Sequence, residues 1–414
     1  MTSDQISSVK LSRRLSLPLL VLYGVGTILG AGIYVLAGKV AAESGLYAPH
    51  AFVLAAIVVS FSARSYAKLS SRFPSSAGEA VYISETLKQH WLATAVGWAI
   101  VFTGVVSAAT ISHGFAAYMD PYLPLSDKLT ITLLVALLCL LSIWGVAQAV
   151  GLAALFTVIE VAGIAIVVWL AIPELPKLAN EHPAVFSFPP ISRLPAISFG
   201  AFLAFYAFIG FEDIVNMAEE VKNPQRNLPR AVYLSLFITT ILYFATVVAF
   251  MALLPIDIFV GSDAPFAEVA RDHAHLSLPL ITAISIAAIT NGALIQIVMG
   301  SRVLYGLANR RMAPRPLAII SPATHTPIIA TIAVSAAVLV FALLLPITTL
   351  ARVTSSVVLI VFALINVSLF ILELRQLSAS RDKLRRWFDV ATPLIGFSLC
   401  IAFLSIQLLN ADLP

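Results

Sequence analysis

Long apolar runs alternate with short polar segments over almost the whole chain. A bilayer core about 30 Å thick is crossed by a helix of roughly 20 apolar residues, and a helix satisfies its own backbone hydrogen bonds where there is no water. The pattern therefore predicts an all-α integral membrane protein with eleven spans. These fall at residues 17–42, 48–69, 92–119, 129–147, 150–172, 196–220, 230–254, 278–306, 327–346, 349–373 and 388–410.

The composition excludes a soluble globular protein. Of the 414 residues, 60% are hydrophobic and 11% are charged, with a mean hydropathy of +0.96, whereas soluble domains average about 45–50% apolar and about 25% charged residues. The first residues are polar and basic without a short apolar core before a cleavage site, so we expect the first span to stay in place. Cys139 and Cys400 lie within apolar runs, which indicates small buried side chains.

Lysine and arginine are distributed unevenly between the two sides. With the N-terminus in the cytoplasm, nineteen of the 25 basic residues fall inside and six outside. Cytoplasmic loops carry the excess of basic residues, so we expect a cytoplasmic N-terminus, a C-terminus outside and a place in the cytoplasmic (inner) membrane. Because the basic residues sit at span ends, they explain the net charge of +4 without a nucleic-acid partner.

The polar segments are too short to form a soluble domain, so the function must lie in the membrane. The longest outer loop is rich in proline, which predicts an ordered cover. We divide the chain into a cytoplasmic tail, a first five-helix unit, this outer loop, a second five-helix unit, and a basic loop with one additional helix. These segments cover residues 1–16, 17–172, 173–195, 196–373 and 374–414.

The first span contains four glycines within nine residues, in YGVGTILGAGIYVLAG. Glycine inside a helix costs up to about 1 kcal/mol relative to alanine, so the cluster needs an explanation. One explanation is close helix packing, since Gly26 and Gly30 form a G-x-x-x-G pair. The other is an unwound stretch whose free amides and carbonyls line a binding site.

The sixth span carries acidic residues near its middle, because Gly210 is followed by Glu212 and Asp213. Acidic residues at that depth are costly and indicate function. The sixth span comes five spans after the first, and paired interruptions in two halves are typical of inverted repeats. The positions predict two inverted five-helix repeats in which helices 1 and 6 are discontinuous.

The chain resembles a known family in several segments. It is similar to amino-acid permeases of the amino acid–polyamine–organocation superfamily, nearest to the cationic amino acid transporter-like bacterial subgroup. The similar segments are GTILGAGIY, RFPSSAGEAVYISE, FYAFIGFED with the following AEEVKNPQRNLPRA, and GSRVLYGLANRR. The resemblance covers roughly residues 15–375. It implies the leucine-transporter fold, with substrate bound at the broken middles of helices 1 and 6.

The chain departs from this family's pattern in two places. The family usually has twelve spans and eleven are predicted here, which bears on oligomerisation rather than on the transport core. In addition, Glu160 on the fifth span stands where several proton-coupled relatives carry lysine. The oligomeric state and the coupling ion are therefore left open.

The resemblance implies a site in which backbone groups bind the head group of an α-amino acid. Half-helix N-termini offer amides to a carboxylate, and unwound ends offer carbonyls to an ammonium. The implied amides are those of Gly30, Ala31 and Gly32. The implied carbonyls are those of Ile28 on helix 1 and of Tyr206, Ala207 and Ile209 on helix 6. The side chain of Tyr206 also matches an aromatic gate position of the family.

Polar side chains within other spans are further candidates. Asn291 and its neighbour Thr290 are candidates for substrate contact or for an interhelical hydrogen bond. Glu160 and Glu212 are the candidates for proton coupling, because a buried carboxyl can hold and release a proton. A structural ion pair, or a neutral hydrogen-bonded acid, is the alternative for both glutamates.

Charged residues at the predicted cytoplasmic end form a separate group. Glu220 lies there with Glu219, Lys222 and Arg226 in AEEVKNPQR, and we interpret Glu220 as a gate residue. The alternative is a solvated topology signal. His113, deep in a span, is more typical of a polar core residue than of a proton relay.

These observations predict a secondary active transporter. We expect it to move amino acids, neutral and mostly apolar, by alternating access with proton coupling. No cofactor is expected beyond the proton gradient, and sodium coupling is the alternative. The expected partners are an amino-acid or amine substrate and the lipid bilayer. A polyamine or cationic amino-acid permease or exchanger is the main alternative, while an enzyme or channel has no H-E-x-x-H, G-x-S-x-G or repeated filter motif to support it.

Overall fold

The regular structure of the described chain is helical. The computed structural model describes residues 11–120, 124–262, 265–272, 278–345, 347–377 and 383–409. It describes only the helical backbone at residues 30–32, 34, 35, 118, 261, 272, 278–282, 347–355, 377, 383–386 and 407–409. Within these ranges, β-pairing is limited to one bridge between Leu15 and Val221. The prediction that the C-terminus lies on the outer side of the membrane concerns residues 410–414, which are outside the described ranges.

The apolar runs fold into long α-helices joined by short segments. The long helices are α1 Leu17–Ser44, α2 Ala48–Arg72, α4 His90–Met119, α5 Asp127–Trp144, α6 Val146–Ala171, α8 Leu194–Ala207, α9 Pro224–Leu253, α12 Leu278–Asn309, α13 Ile328–Leu344, α14 Ile347–Leu377 and α15 Lys383–Leu409. The short helices are α3 Gly78–Leu87, α7 Leu175–Glu181, α10 Ile256–Gly261 and α11 Pro265–Asp272.

The multi-pass helical architecture is confirmed. Nine helical segments of the described chain are long and apolar enough to cross a membrane, and two shorter apolar helices cover Leu17–Leu29 and Ile328–Leu344. The number of eleven spans stays a prediction. The outer loop 173–195 contains α7 and short 3-10 turns at Pro183–Val185 and Ile191–Arg193, which agrees with an ordered cover.

The α-helix of the sixth span ends before the span does. α8 stops at Ala207, and a 3-10 helix runs from Phe211 to Glu220. Between them Gly210 has a φ of 123°, a conformation that side-chain-bearing residues rarely adopt. A Cβ at Gly210 would also lie 2.8 Å from the carbonyl oxygen of Thr27 on α1. The turn therefore brings the backbone of the sixth span against the middle of α1.

The first span differs from the prediction, because α1 is one helix from Leu17 to Ser44. The predicted interruption of helix 1, and with it the paired interruption, is not confirmed. Its first two glycines serve close packing instead. A Cβ at Gly24 would collide with Ile214 and Ser235, and one at Gly26 would collide with Thr157 and Asn291. Glycine there lets neighbouring helices approach the α1 backbone.

The last helix is attached to the bundle through polar contacts with α2. Arg64 and Lys68 on α2 both pair with Asp389 on α15, and Lys68 lies 3.0 Å from Glu373 on α14. Deeper in the bundle, Asn366 on α14 donates to Ser62 on α2 at 2.8 Å. These contacts hold α15 against α2 and α14.

Candidate functional site

A buried tyrosine joins the two helices that were predicted to form the binding site. The Tyr243 hydroxyl on α9 lies 2.6 Å from the Ile28 carbonyl oxygen on α1 and 2.7 Å from the Ala207 carbonyl oxygen on α8. A hydroxyl has one proton, so it can donate to only one of these carbonyls at a time. The two carbonyls converge on one atom, in a place that offers more acceptors than Tyr243 can satisfy.

Glu160 on α6 is fully buried beside α12. Its Oε1 accepts a hydrogen bond of 2.9 Å from Nδ2 of Asn291, which also lies 3.1 Å from the Thr157 hydroxyl. Among the described residues, Oε2 of Glu160 and Oδ1 of Asn291 have no hydrogen-bond partner. The carboxyl thus bonds a neutral amide and forms no ion pair within the part of the chain that the structure describes. An ionised Glu160 would be uncompensated, whereas a protonated one could donate a hydrogen bond.

The two acids after the turn of the sixth span have different partners. Oε2 of Glu212 accepts a 2.8 Å hydrogen bond from the backbone N–H of Gly210, so this side chain fixes the turn. Oδ2 of Asp213 accepts a 2.9 Å hydrogen bond from Gln296 on α12. Both side chains are at most 5% exposed. Their partners are neutral, so neither acid is compensated by a direct ion pair among the described residues.

The buried ion pair of the site lies further along the sixth span. Glu220 and Arg302 on α12 are both 0% exposed, and two guanidinium nitrogens lie 3.2 Å from the two carboxylate oxygens. The neighbouring backbone pairs with the N-terminal segment, because Leu15 donates to the Glu220 carbonyl at 3.0 Å and accepts from Lys222 at 2.9 Å. We call the end of the bundle that holds Leu15, Glu220, Lys222 and Arg302 the basic end.

The basic end is closed by contacts between the segment before α3 and the 3-10 helix Phe211–Glu220. Glu219 accepts a 3.1 Å hydrogen bond from the backbone N–H of Ser76, and Asn216 accepts one of 2.9 Å from that of Gly78. The Asn216 amide donates to Glu79 at 3.3 Å. Polar backbone on one side therefore meets polar side chains on the other, with little exposed surface between them.

Aromatic rings surround the end of α8. Tyr206 packs edge-on against Phe202 at 5.4 Å, and its buried hydroxyl has no partner among the described residues. Phe208 packs against Tyr243 with ring centroids 5.0 Å apart. Phe205 packs edge-on against Phe403 of α15. The surroundings of the converging carbonyls on the α8 side are therefore largely apolar.

The structure brings some of the predicted residues together and leaves others apart. Ile28 and Ala207 meet at Tyr243, whereas Glu160 and Asn291 form their own pair. The structure describes only the helical backbone of Gly30, Ala31 and Gly32, so the contact of their amides with a carboxylate stays a prediction. Thr290 bonds to the Ile286 carbonyl of its own helix at 2.7 Å. Nε2 of His113 is buried without a described partner.

Several residues of the site were not singled out from the sequence. They are Tyr243, Gln296, Arg302, Asn216 and Glu79. For Arg302 a signal was present, because a charged residue inside an apolar run indicates function, but its place near a span end made it look like a topology signal. Tyr243 has no such signal, because a lone tyrosine in a span is typical of packing or of the interface.

Comparison with known proteins identifies the family. The family model described as "Amino acid permease" matches residues 20–414. The branched-chain amino acid permease BcaP of Lactococcus lactis subsp. cremoris is 28% identical over 383 residues, which cover 85% of this chain and 80% of the relative. Vacuolar cationic amino acid transporter 4 of Arabidopsis thaliana is 27% identical over 387 residues. That match covers 88% of this chain and 64% of the plant protein.

A solved structure shows the fold independently. The substrate-bound outward-open state of a Na⁺-coupled sialic acid symporter superposes with a TM-score of 0.61 at 13% sequence identity, covering 95% of this chain and 90% of the other. At this identity the match supports the leucine-transporter-like fold alone. Together with the family match, it confirms a transporter rather than an enzyme. The chain belongs to the amino acid permease family of the amino acid–polyamine–organocation superfamily.

Proposed function

We propose that this protein carries neutral, mostly apolar amino acids across the cytoplasmic membrane by alternating access, driven by protons. The observation that carries the proposal is the convergence of the Ile28 and Ala207 carbonyls on the Tyr243 hydroxyl. An ammonium group has three donors and can bond both carbonyls and the hydroxyl oxygen together. The basic end of the bundle is the cytoplasmic end in this proposal, as the positive-inside rule requires.

The proposal that the substrate is a neutral amino acid is supported by the partners of the buried acids. The two acids of the sixth span are engaged within the protein, because Glu212 bonds the Gly210 backbone and Asp213 bonds Gln296. Near the carbonyls the side chains are aromatic, such as Phe208 and Tyr206. An apolar substrate side chain fits these surroundings without leaving a charge unpaired.

Proton coupling is supported by Glu160. The side chain is fully buried, its only described donor is the neutral Asn291 amide, and Oε2 has no partner in the described part of the chain. An uncompensated charge within a span costs at least about 2.5–3.5 kcal/mol on insertion scales. A proton on Glu160 removes that cost, so proton binding and the packing of α6 against α12 and α1 are linked.

Uptake by purified protein in proteoliposomes tests the proposal. We expect labelled leucine to accumulate when the outside is acidic, and unlabelled isoleucine, valine and alanine to compete. Arginine, lysine and cadaverine should compete poorly at equal concentration. Better competition by arginine or cadaverine than by leucine would replace the proposed substrate with the cationic class, which is named for the Arabidopsis relative. Accumulation driven by a sodium gradient alone would replace proton coupling.

A further inference from the structure

Glu79 is a buried acid at the basic end to which the proposed function gives no role. It lies in the first turn of α3 and is 1% exposed. Its Oε1 accepts one hydrogen bond of 3.3 Å from the Asn216 amide, while Oε2 has no hydrogen-bond partner among the described residues. The carboxyl is therefore buried against a neutral donor, and Oε2 can carry a proton without breaking a described hydrogen bond.

The groups around Glu79 do not compensate a negative charge. Those in electrostatic contact with it are Tyr66 of α2, Tyr82 of α3, and the acids Glu212 and Asp213. The buried hydroxyl of Tyr66 has no described partner, and the Tyr82 hydroxyl interacts with the side chain of Ser70. The helices α4 and α14 also pack on α3, and no described side chain of either forms an ion pair with Glu79. An ionised Glu79 would lie close to two further buried acids, without an ion-pair partner among the described residues.

Burial dominates the proton affinity of this group. Burial raises the pKa of Glu79 to about 8, against the smaller opposing effects of its own backbone N–H and the Asn216 amide. A glutamate in water has a pKa of about 4.3. The group therefore holds a proton at neutral pH while it is buried, and loses it when water reaches it.

The contacts that bury Glu79 are the contacts that close the basic end. Asn216 bonds the backbone N–H of Gly78, the residue before Glu79, and Glu219 bonds that of Ser76. Alternating access moves one group of helices against the other. Opening the basic end separates the 3-10 helix Phe211–Glu220 from α3, and this exposes the carboxyl of Glu79 to the cytoplasm.

We infer that Glu79 is a proton-carrying residue that links opening of the basic end to proton release on that side. With the basic end closed, the carboxyl keeps its proton. On opening, the O–H bond breaks, the electron pair stays on the carboxylate, and the proton passes to cytoplasmic water. The inference rests on the proposed alternating-access carrier and adds a second proton site to Glu160. It identifies the basic end as the place where cytoplasmic pH acts on the cycle.

The sign of the pH effect follows from linkage. The closed state binds the proton more tightly than the open state, so low pH favours the closed basic end. As the pH rises between the ordinary glutamate pKa and about 8, the ratio of open to closed protein increases by up to about tenfold per pH unit. Above that range both states are ionised and the ratio no longer changes.

Thiol labelling at a buried position of the basic end measures this opening directly. The Ser76 hydroxyl is buried and has no described partner, so Ser76→Cys is a conservative reporter. Ser44, at the other end of α1, is also buried without a hydroxyl partner and gives the matched reporter Ser44→Cys. Cys139→Ser and Cys400→Ser remove the native thiols. The maleimide reaction rate of each reporter is measured in native and in denatured protein at the same pH. Dividing the native rate by the denatured rate corrects for thiol ionisation.

We expect the normalised Ser76→Cys rate to rise between pH 5.5 and 8 and the Ser44→Cys rate not to rise. Glu79→Gln, which mimics the neutral acid, should abolish this rise, whereas Glu79→Asp should keep it. Glu85→Gln, on the partly exposed side of α3, is the matched control and should keep it too. Gel filtration checks that each variant is folded.

Three outcomes would overturn the inference. The first is a Ser76→Cys labelling rate that does not change with pH when Glu79 is intact. The second is an unchanged rise of this rate with pH in folded Glu79→Gln. The third is an equal rise of the Ser76→Cys and Ser44→Cys rates. Labelling needs neither substrate nor gradient, so the two proposals can fail separately. If amino-acid uptake is absent while the Glu79-dependent rise persists, only the proposed substrate fails. If uptake is normal and the rise is absent, only the role of Glu79 fails.

Discussion

The Tyr243 hydroxyl lies 2.6 Å from the carbonyl oxygen of Ile28 and thereby connects α9 to the middle of α1. The same hydroxyl reaches the Ala207 carbonyl at the end of α8. In the proposed site a substrate ammonium would join this group. The hydroxyl therefore holds the two carbonyls together when no ammonium is bound.

Tyr243→Phe is expected to weaken both the fold and substrate binding. The ring contacts with Phe52 and Phe208 remain, but buried carbonyl oxygens lose a donor, which costs about 1–3 kcal/mol of the free energy of unfolding. Denaturant titration in micelles measures the stability and leucine binding measures the affinity. Tyr23→Phe is the control, because the buried Tyr23 hydroxyl has no described partner. Equal effects of the two changes would contradict the bridging role.

Glu160→Gln is expected to uncouple transport from the proton gradient. Glutamine has nearly the volume of a protonated glutamate, and its amide can donate to the unpartnered Oδ1 of Asn291, so the helices should still pack. We predict loss of gradient-driven accumulation, retained substrate binding and exchange, and a flatter pH dependence of binding. Glu181→Gln, on an exposed residue of the outer loop, is the control. Full accumulation with an unaltered pH profile would exclude Glu160 and leave Glu212 as the next candidate.

Gly210→Ala is expected to disrupt the sixth span more than positive φ alone explains. Both Gly210 and Gly45 have positive φ, but only Gly210 has neighbours within 4 Å of an added Cβ, including the Thr27 backbone. Gly45→Ala should cost on the order of 1–3 kcal/mol of folding free energy for the strained backbone, and Gly210→Ala should cost clearly more and abolish leucine binding. Thermal unfolding and binding assays on both variants give the comparison. Similar losses in the two proteins would mean that the approach to Thr27 is unimportant.

Removing one partner of the buried pair Glu220–Arg302 is expected to be among the most destabilising single changes. Glu220→Leu leaves an uncompensated buried guanidinium, which costs about 3–5 kcal/mol. The double variant Glu220→Leu, Arg302→Met removes both charges and should recover much of that loss. Arg271→Met, which breaks the exposed pair with Glu268, should cost less than about 1 kcal/mol. Denaturant titration of the parent, Glu220→Leu, Arg302→Met, the double variant and Arg271→Met measures these costs. Additivity of Glu220→Leu and Arg302→Met would argue against a coupled pair.

The turn of the sixth span was predictable because its signal is local. Gly210 stands directly before two acids in an apolar run, and the structure shows the α-helix ending there. The glycines of the first span carry an ambiguous signal, since glycine permits both an unwound helix and a close neighbour. Only the positions of Thr157, Asn291 and Ser235 around Gly24 and Gly26 show that close packing explains these two.

The partner of each buried acid could not be predicted in the same way. Glu160 and Asn291 are 131 residues apart in the chain, and Glu220 and Arg302 are 82 residues apart. Hydropathy gives the depth of a residue along its own helix but not the direction in which its side chain points. The sequence indicated that these acids need partners, and it left the identity of the partners open.

The sequence by itself determined that the chain is a multi-pass helical membrane protein, because the bilayer imposes length and hydropathy on each span separately. Its motifs also indicated the family. The tertiary structure decided which helices meet at Tyr243, which acid has Arg302 as its partner, and that Glu79 is buried at the closed basic end. These features depend on the rotation and packing of whole helices, which are set by contacts between residues far apart in the chain.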